Sequence, residues 1–154
     1  MSLFPDHTEN SLYLSMNDQS ELLSRNSLHS IKLENKNWPS VEHYFQAMQF
    51  EDETYQEKIR LSGNVQQAIK FGKSWFKKKR PDVKKVSKIL MTRAIYIKCK
   101  TYSEVETRLL ETKELRIIEN SQFAYYWGCG RDQRGENNFG KILMDVRKKL
   151  LSER

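Results

Sequence analysis

The sequence predicts a single α+β domain that is mostly helical, with about six helices and a small β-sheet. Its 154 residues suit one domain of ordinary size. Apolar residues recur at helical spacing along much of the chain, whereas polar and apolar residues alternate only in short segments. No internal repeat, low-complexity segment or domain boundary is evident. We therefore expect one domain over residues 1–154, with its core between about residues 12 and 150.

Short strands are predicted where polar and apolar residues alternate or β-forming residues cluster. These segments are residues 11–15, 28–33, 115–119 and 123–126. The polar stretch 16–26 predicts a loop or a short turn of helix, and residues 34–37 predict a turn after the second strand. The strands are short, so the sheet that they form is expected to be small.

The first helix is predicted to begin after Ser40, a favourable N-cap, and to run to about Phe50, with Val41, Phe45 and Met48 on its apolar face. Five more helices follow from apolar spacing and capping residues. Their expected ranges are 53–61, 64–71, 82–99, 103–110 and 138–150.

Capping residues are predicted at the start of two of these helices. Asp82 is expected to cap the fourth helix, and residues 103–106, Ser-Glu-Val-Glu, match a capping box at the start of the fifth. At the end of the last helix, Arg147, Lys148 and Lys149 suit the negative pole of the helix dipole.

The composition excludes several classes of protein. Hydrophobic residues make up 38% and charged residues 31%, and no apolar run approaches the roughly 18 residues that cross a membrane. The N-terminus, with Pro5, Asp6 and Glu9, lacks the basic start and apolar stretch of a signal peptide. We expect a cytoplasmic protein with no membrane partner. Cys99 and Cys129 have no metal-ligand spacing, so we expect two free thiols and no metal.

The positive charge is concentrated in one segment, from Lys73 to Lys100. It contains eleven basic residues against the single acid Asp82, although the whole chain carries a net charge of only +7. One interpretation is a surface that attracts phosphates, including those of a nucleic acid. The other is a solvated helix face with a lysine-rich loop, since Trp75 and Phe76 are the only aromatic residues in a position to stack.

The helix after Ser40 carries the best candidate general acid or base. Glu42, Gln46 and Gln49 are spaced i, i+4 and i+7, so they share a face that differs from the apolar stripe. An acid in a first turn is also common simply because the helix dipole stabilises it. His43 is a candidate ligand or proton carrier, or else a packed or capping side chain.

A second block lies near the last helix. Residues 135–141 match the start of a phosphate-binding loop, but Ile142 occupies the position that requires a hydroxyl for magnesium. Gly128-Cys129-Gly130 is too short for a dinucleotide fingerprint. What remains is a glycine-rich turn before a helix, with Asn137 and Asn138 as available caps. Such a turn either binds an anion through backbone N–H groups or simply permits a tight chain reversal.

Together, the two blocks resemble the NADAR superfamily, and in particular its YbiA-like N-glycosidases. The first block, WPSVEHYFQA at residues 38–47, is similar to the family's Trp-Pro-x-x-Glu-His-Tyr-Phe-Gln-Ala signature. The second is similar to its Trp-Gly-x-Gly, Asn-x-Gly and Leu-Met run, at residues 127–130, 138–140 and 143–144. Weaker similarity extends from about Leu12 to Leu150, which implies a single YbiA-like domain.

The resemblance implies hydrolysis of an N-glycosidic bond in a phosphorylated ribosyl compound, of the ribosylamino-pyrimidine phosphate type that occurs in riboflavin synthesis. It implies Glu42 as the catalytic carboxylate and Trp127 as the stacking wall of the pocket, with no metal or redox cofactor. The implied substrate-binding residues are Trp38, His43, Gln46, Gly128, Gly130, Asn138, Lys141 and Lys98.

The same resemblance leaves two alternatives. One is removal of ADP-ribose from guanine in a nucleotide or nucleic acid, for which Lys98 and Lys141 are the candidates to form an imine with the opened ribose. The other is a non-catalytic module that binds ADP-ribose or another nucleotide. The chain departs from the family pattern at Gln49, where relatives often have lysine, and at Ala124, where many have aspartate.

Overall fold

The computed structural model describes residues 10–154 and confirms an α+β, mostly helical fold. The described residues form four strands and six helices. In chain order these are β1 (Ser11–Leu14), β2 (Ile31–Leu33), β3 (Lys36–Trp38), α1 (Val41–Ala47), α2 (Glu53–Arg60), α3 (Val65–Gly72), α4 (Val83–Thr101), α5 (Ser103–Leu110), β4 (Arg116–Glu119) and α6 (Asn138–Ser152). Residues 1–9 of the expected domain, including the N-terminal Pro5, Asp6 and Glu9, lie outside the described residues.

The strands form two separate pairs. β1 pairs with β4 in parallel, with Leu14 opposite Glu119. β2 and β3 form an antiparallel hairpin, so the predicted turn at 34–37 contains a strand that the sequence did not reveal. Glu34 and Asn35 at its tip have φ of 55° and 61°, as a two-residue hairpin turn requires.

The strand predicted over residues 123–126 is wrong, since this stretch consists of turns and bends. Its carbonyl groups are turned toward the following loop and helix. Those of Tyr125 and Tyr126 accept from the N–H groups of Glu136 and Asn138 at 2.7 and 3.1 Å. Phe123, which β propensity favours for a strand, is instead 88% exposed.

Two helix starts differ from the predicted form. Asp82 is the N-cap residue of α4, as predicted, but its carboxylate makes no cap bond, because Arg80 donates to both of its oxygens. The N-cap of α5 is Tyr102, so the predicted capping box does not form. Ser40 does cap α1, accepting from the N–H of His43 at 3.1 Å.

Helix α1 lies in the interior of the molecule. It packs against α2, α3 and α4, and all seven of its residues are buried. It ends at Ala47, before the predicted Phe50, because the N–H groups of Gln49 and Phe50 bond to carbonyls three residues back. Since α1 is enclosed, its polar side chains need partners within the protein.

Within residues 10–154, no helix is long and apolar enough to cross a membrane. The two cysteines are free, as predicted, and both are buried. Burial raises the pKa of the Cys99 thiol to about 12. The same residues contain no group of three or more His, Cys, Asp and Glu side chains placed to hold a metal ion.

Candidate functional site

The side chain of Glu42 lies at the centre of a buried polar cluster. It is 3% exposed and forms a bidentate ion pair with Arg25, whose Nη2 donates to Oε1 at 3.1 Å and whose Nε donates to Oε2. Nε2 of Gln46 donates to Oε1 at 2.6 Å. Two fixed N–H groups of one guanidinium therefore set the plane of the carboxylate.

The predicted polar face of α1 is confirmed by its hydrogen bonds. Beyond the bond from Gln46 to Glu42, Nε2 of Gln49 donates to Oε1 of Gln46 at 2.9 Å. Gly72, at the end of α3, packs directly on this chain, and a Cβ at that position would overlap the Gln46 amide. The close approach of α3 to α1 therefore depends on a residue without a side chain.

Arg25, the partner of Glu42, contacts one aromatic ring from each sequence block. The guanidinium carbon lies 4.5 Å from the ring centroid of Phe45 and 5.3 Å from that of Trp127. The two rings meet edge to face, with centroids 5.6 Å apart. Trp127 is partly buried, and Tyr126 packs edge-on against it at 4.9 Å. Glu42 and Trp127 thus belong to one cluster, with Arg25 between them.

The loop that carries Arg25 is fixed at several points. The N–H of Arg25 donates to the Met16 carbonyl at 3.1 Å, and its own carbonyl accepts from the N–H of Glu42 at 3.0 Å. From α4, Nζ of Lys98 donates to the Ser24 carbonyl at 2.8 Å and to Oγ of Ser27. Lys98 is fully buried, and burial lowers its pKa to about 8. The predicted substrate-binding lysine therefore holds the Arg25 loop.

Sequence reasoning did not identify Arg25 as the partner of Glu42. The predicted loop 16–26 is confirmed as a series of turns, but it has no periodicity that would indicate an inward side chain. Charge balance offers one clue. A carboxylate enclosed on an interior helix needs a cation, and between residues 10 and 40 the only Lys or Arg residues are Arg25, Lys32 and Lys36.

A second buried carboxylate, Glu119 at the end of β4, joins the two halves of the chain. It accepts from the N–H of Met16 at 3.1 Å and from the N–H and Oγ of Ser121 at 3.0 and 2.6 Å. Gly128 lies against this carboxylate, where any Cβ would overlap Oε2. No pattern in the sequence points to Glu119, because its position at the end of a predicted strand does not indicate a buried acid.

The glycine-rich turn uses its backbone N–H groups within the fold, which supports the chain-reversal interpretation over anion binding. Each donates to a carbonyl at 2.7–3.1 Å; these donors are Gly128, Cys129, Gly130, Gly135, Glu136 and Asn137. The start of α6 is closed in the same way, since the N–H groups of Asn138 and Phe139 donate to the carbonyls of Tyr126 and Trp127. Gly130 has φ of 71°, a conformation that favours glycine.

Trp38 and His43, which were also predicted to bind substrate, form hydrogen bonds within the protein. Trp38 is 1% exposed, donates from Nε1 to the Leu33 carbonyl at 2.9 Å and packs edge-on against Tyr44. The ring nitrogens of His43 lie 2.7 Å from Oγ of Ser40 and 3.4 Å from the carbonyl of Ser62, and burial lowers its pKa.

Two predicted residues lie on α6. Nδ2 of Asn138 donates to the Tyr126 carbonyl and to Glu136, both at 2.8 Å. Lys141 is exposed on the helix surface. Asn138 therefore holds the backbone next to Trp127 in place, whereas the structure gives Lys141 no contact with the Glu42 cluster.

Comparisons with known proteins bear on the family and the fold of this chain. The family model of the NADAR domain matches residues 3–151. The N-glycosidase YbiA of Escherichia coli (strain K12) is 35% identical over 124 residues, which cover 80% of this chain and 78% of that protein.

Two further similarities extend the comparison. The riboflavin biosynthesis protein VVA0006 of Vibrio vulnificus (strain YJ016) is 32% identical over 121 residues, 79% of this chain and 33% of that protein. The NMR structure of E. coli YbiA superposes with a TM-score of 0.82 at 29% identity, covering 96% of this chain and 92% of that one. The resemblance inferred from the two tryptophan blocks is thus confirmed by family model, relatives and fold: the chain belongs to the NADAR domain family.

Proposed function

We propose that this protein is an N-glycosidase that hydrolyses the bond between ribose C1′ and a base or amine nitrogen in a phosphorylated ribosylamino-pyrimidine. The observation that carries the proposal is the Glu42 carboxylate, buried, oriented by Arg25 and placed in one cluster with Trp127. The names of the relatives support the reaction class, and the riboflavin biosynthesis name of the Vibrio relative supports the substrate class.

The geometry of Glu42 suits it to act on water. A carboxylate offers about four acceptor positions. Arg25 and Gln46 use three of them, which leaves one on Oε2 for a water molecule or a ribose hydroxyl. Because the guanidinium fixes the carboxylate plane, that position has a defined direction before substrate arrives.

In the proposed reaction the C1′–N bond breaks and its electron pair stays on the nitrogen. The ribose then gains oxocarbenium character, which the Glu42 carboxylate stabilises. The oxygen of the water bonds to C1′, and the proton that it loses passes by way of Glu42 to the leaving nitrogen. The products are the free amino-pyrimidine and ribose phosphate.

Trp127 and Arg25 would bind the substrate around this carboxylate. Trp127 is only partly buried, so its ring can stack on the heterocycle and exclude water from the reacting bond. Nη1 of Arg25 contacts Sδ of Met16 at 4.0 Å, a weak partner, and is the guanidinium donor available to a substrate oxygen.

The test is incubation with ribosylamino-pyrimidine phosphates, with each product quantified. Glu42→Gln keeps the shape of the side chain but removes its negative charge, and we expect turnover to fall by about 10²–10⁴-fold. Retained turnover in Glu42→Gln would refute the mechanism.

A control is needed because removing one partner of a buried ion pair costs about 3–5 kcal/mol of stability. The double variant Arg25→Met/Glu42→Gln removes both charges and should recover much of that loss without recovering activity. Urea denaturation of the two variants separates loss of folding from loss of chemistry.

The two alternatives enter the same assay as separate arms. Release of ADP-ribose from guanine is the second candidate, favoured by the basic segment from Lys73 to Lys100. It predicts turnover of ADP-ribosylated guanine with the pyrimidine compounds untouched. A non-catalytic module predicts tight ADP-ribose binding by calorimetry and no product from either substrate.

A further inference from the structure

An exposed pair of stacked aromatic rings lies in the loop between α3 and α4. Trp75 and Phe76 are 84% and 79% exposed, and their rings stack with centroids 4.0 Å apart and planes 29° from parallel. Two adjacent large apolar side chains in water form a patch of the kind that marks an interaction site. The pair has no role in the Glu42 cluster.

The pair lies at a groove that is also lined by lysines. The groove has a volume of ≈ 800 Å³, and no acidic residue is among its lining residues. We name it the basic groove; its defining residues are Tyr55, Lys58, Lys70, Lys73, Trp75 and Lys77. One of these lysines has an acidic partner, since Nζ of Lys77 pairs with the carboxylate of Asp52 at 3.1 Å.

We propose that the basic groove binds single-stranded nucleic acid. Its lysines would contact successive phosphates, and the stacked rings of Trp75 and Phe76 would extend their stack onto an unpaired base. Proteins that bind single strands without sequence preference combine these two elements, a positive groove and aromatic platforms. This proposal concerns binding alone and does not rest on the proposed glycosidase activity.

The ends of this loop are anchored beside the candidate active site. At one end Gly72 packs on the side chain of Gln46. At the other, the N–H of Arg80 donates to the Gln49 carbonyl at 2.8 Å. Gln46 and Gln49 belong to the hydrogen-bonded chain that begins at Glu42. A bound strand would therefore lie on a loop that is attached to the site at both ends.

The groove favours a single strand over the other polyanions that lysines attract. A duplex keeps its bases stacked on one another, so it offers no free base to Trp75 and Phe76. An anionic bilayer also attracts lysines, but it offers no aromatic base onto which the rings of Trp75 and Phe76 could extend their stack. The groove therefore favours a narrow, flexible chain with free bases.

The experiment measures fluorescence anisotropy of labelled oligonucleotides of about 12 nucleotides, thymidine DNA and uridine RNA, as a function of salt. The matched duplex and phosphatidylglycerol vesicles are the comparison ligands. We expect Trp75→Ala/Phe76→Ala to weaken single-strand binding about 5- to 100-fold. Lys70→Glu/Lys73→Glu should weaken it at least about tenfold and reduce the salt slope by about 1.4.

The controls match each variant by type of residue and exposure. Phe123→Ala removes an exposed aromatic ring elsewhere, and Lys113→Glu/Lys148→Glu makes the same change in charge at exposed positions away from the groove. The proposal is overturned if the control variants weaken binding as much, if the duplex binds as tightly, if vesicles bind and oligonucleotides do not, or if no oligonucleotide binds.

Discussion

The two tryptophans that mark the sequence blocks have different surroundings in the structure. Trp38 is enclosed, with its indole N–H bonded to the Leu33 carbonyl and its ring packed against Tyr44. Trp127 is partly exposed, with its ring against Phe45 and the Arg25 guanidinium. Each stands near the start of a helix in the sequence, yet only Trp127 faces the buried carboxylate cluster.

On the proposed mechanism, chemistry and support are divided within each block. In the first block Glu42 would supply the chemistry, while Trp38 and the bond between Ser40 and His43 hold the helix start in place. In the second, Trp127 would supply the stacking surface and the glycine turn provides the support. Burial alone does not distinguish the two roles, since Glu42 and Trp38 are both enclosed; what distinguishes Glu42 is its bond to Arg25, which packs on Trp127.

The largest expected effect comes from exchanging the two tryptophans for alanine. Trp38→Ala should lower the free energy of unfolding by about 3–5 kcal/mol, because it leaves a cavity in the core. Trp127→Ala should cost less stability but reduce turnover about 5- to 150-fold, since a stacked base is worth about 1–3 kcal/mol. Urea denaturation and steady-state kinetics measure both; equal stability losses would contradict the division.

Lys98 gives a pH-dependent test of the loop that carries Arg25, the residue in contact with both sequence blocks. Its pKa is lowered to about 8 in the folded protein from the usual 10.5, so between those values only the unfolded chain holds the proton. The free energy of unfolding should therefore rise with pH in this window, on the order of 3 kcal/mol in total.

The variant Lys98→Met lacks this contribution. The stability of the wild-type protein relative to the variant should increase from pH 8 to pH 10.5, as followed by urea denaturation at several pH values. The same variant releases the Ser24 carbonyl, so turnover should fall through misplacement of Arg25. A stability difference that does not change with pH would show that Lys98 is not a buried titrating group.

Gly128→Ala tests the support in the second block. Its Cβ would overlap Oε2 of Glu119 and lie 3.0 Å from the Ala124 carbonyl oxygen, so the fixed backbone leaves little room. We expect a stability loss of about 1–3 kcal/mol by thermal or urea denaturation. Gly63→Ala is the matched control, because its Cβ would meet only Oε1 of Gln67 at 3.5 Å. Equal losses in the two variants would count against a tight Gly128 site.

Gly72→Ala should have a moderate effect on stability and a selective effect on function. Its Cβ would overlap the Gln46 amide, which must then leave its buried bonds to Glu42 and Gln49. We expect a stability loss of about 1–2 kcal/mol. Turnover should fall about tenfold, since the displaced amide no longer donates to Glu42. Unchanged kinetics in Gly72→Ala would show that the Gln46 bond does not contribute to the reaction.

The sequence predicted the parts of the fold and site that depend on local spacing. The shared face of Glu42, Gln46 and Gln49 follows from helical periodicity, and the hydrogen bonds confirm it. Arg25 could not be found this way, because its place beside Glu42 is set by tertiary contacts of the loop with Met16 and Lys98.

The remaining errors have the same origin. Aromatic residues at 123–126 favour a strand, but the N–H groups of the glycine turn and α6 bind their carbonyls instead. Strand β3 begins with Lys36 and Asn37, two residue types that are uncommon in strands, so its sequence is typical of a turn. Tyr102 caps α5 although its side chain accepts no bond, because its carbonyl receives the N–H groups of Val105 and Glu106.

The link between Met16 and Glu119 has a consequence for synthesis of the protein. These residues are 103 positions apart, and the bond between them joins the Arg25 loop to the Trp127 segment. At about 5–20 residues per second, a ribosome needs roughly 5–20 s to make the intervening chain. During that time β1 and the Arg25 loop are made without β4, so a nascent chain released before β4 is made would contain Glu42 and Arg25 but neither Glu119 nor Trp127.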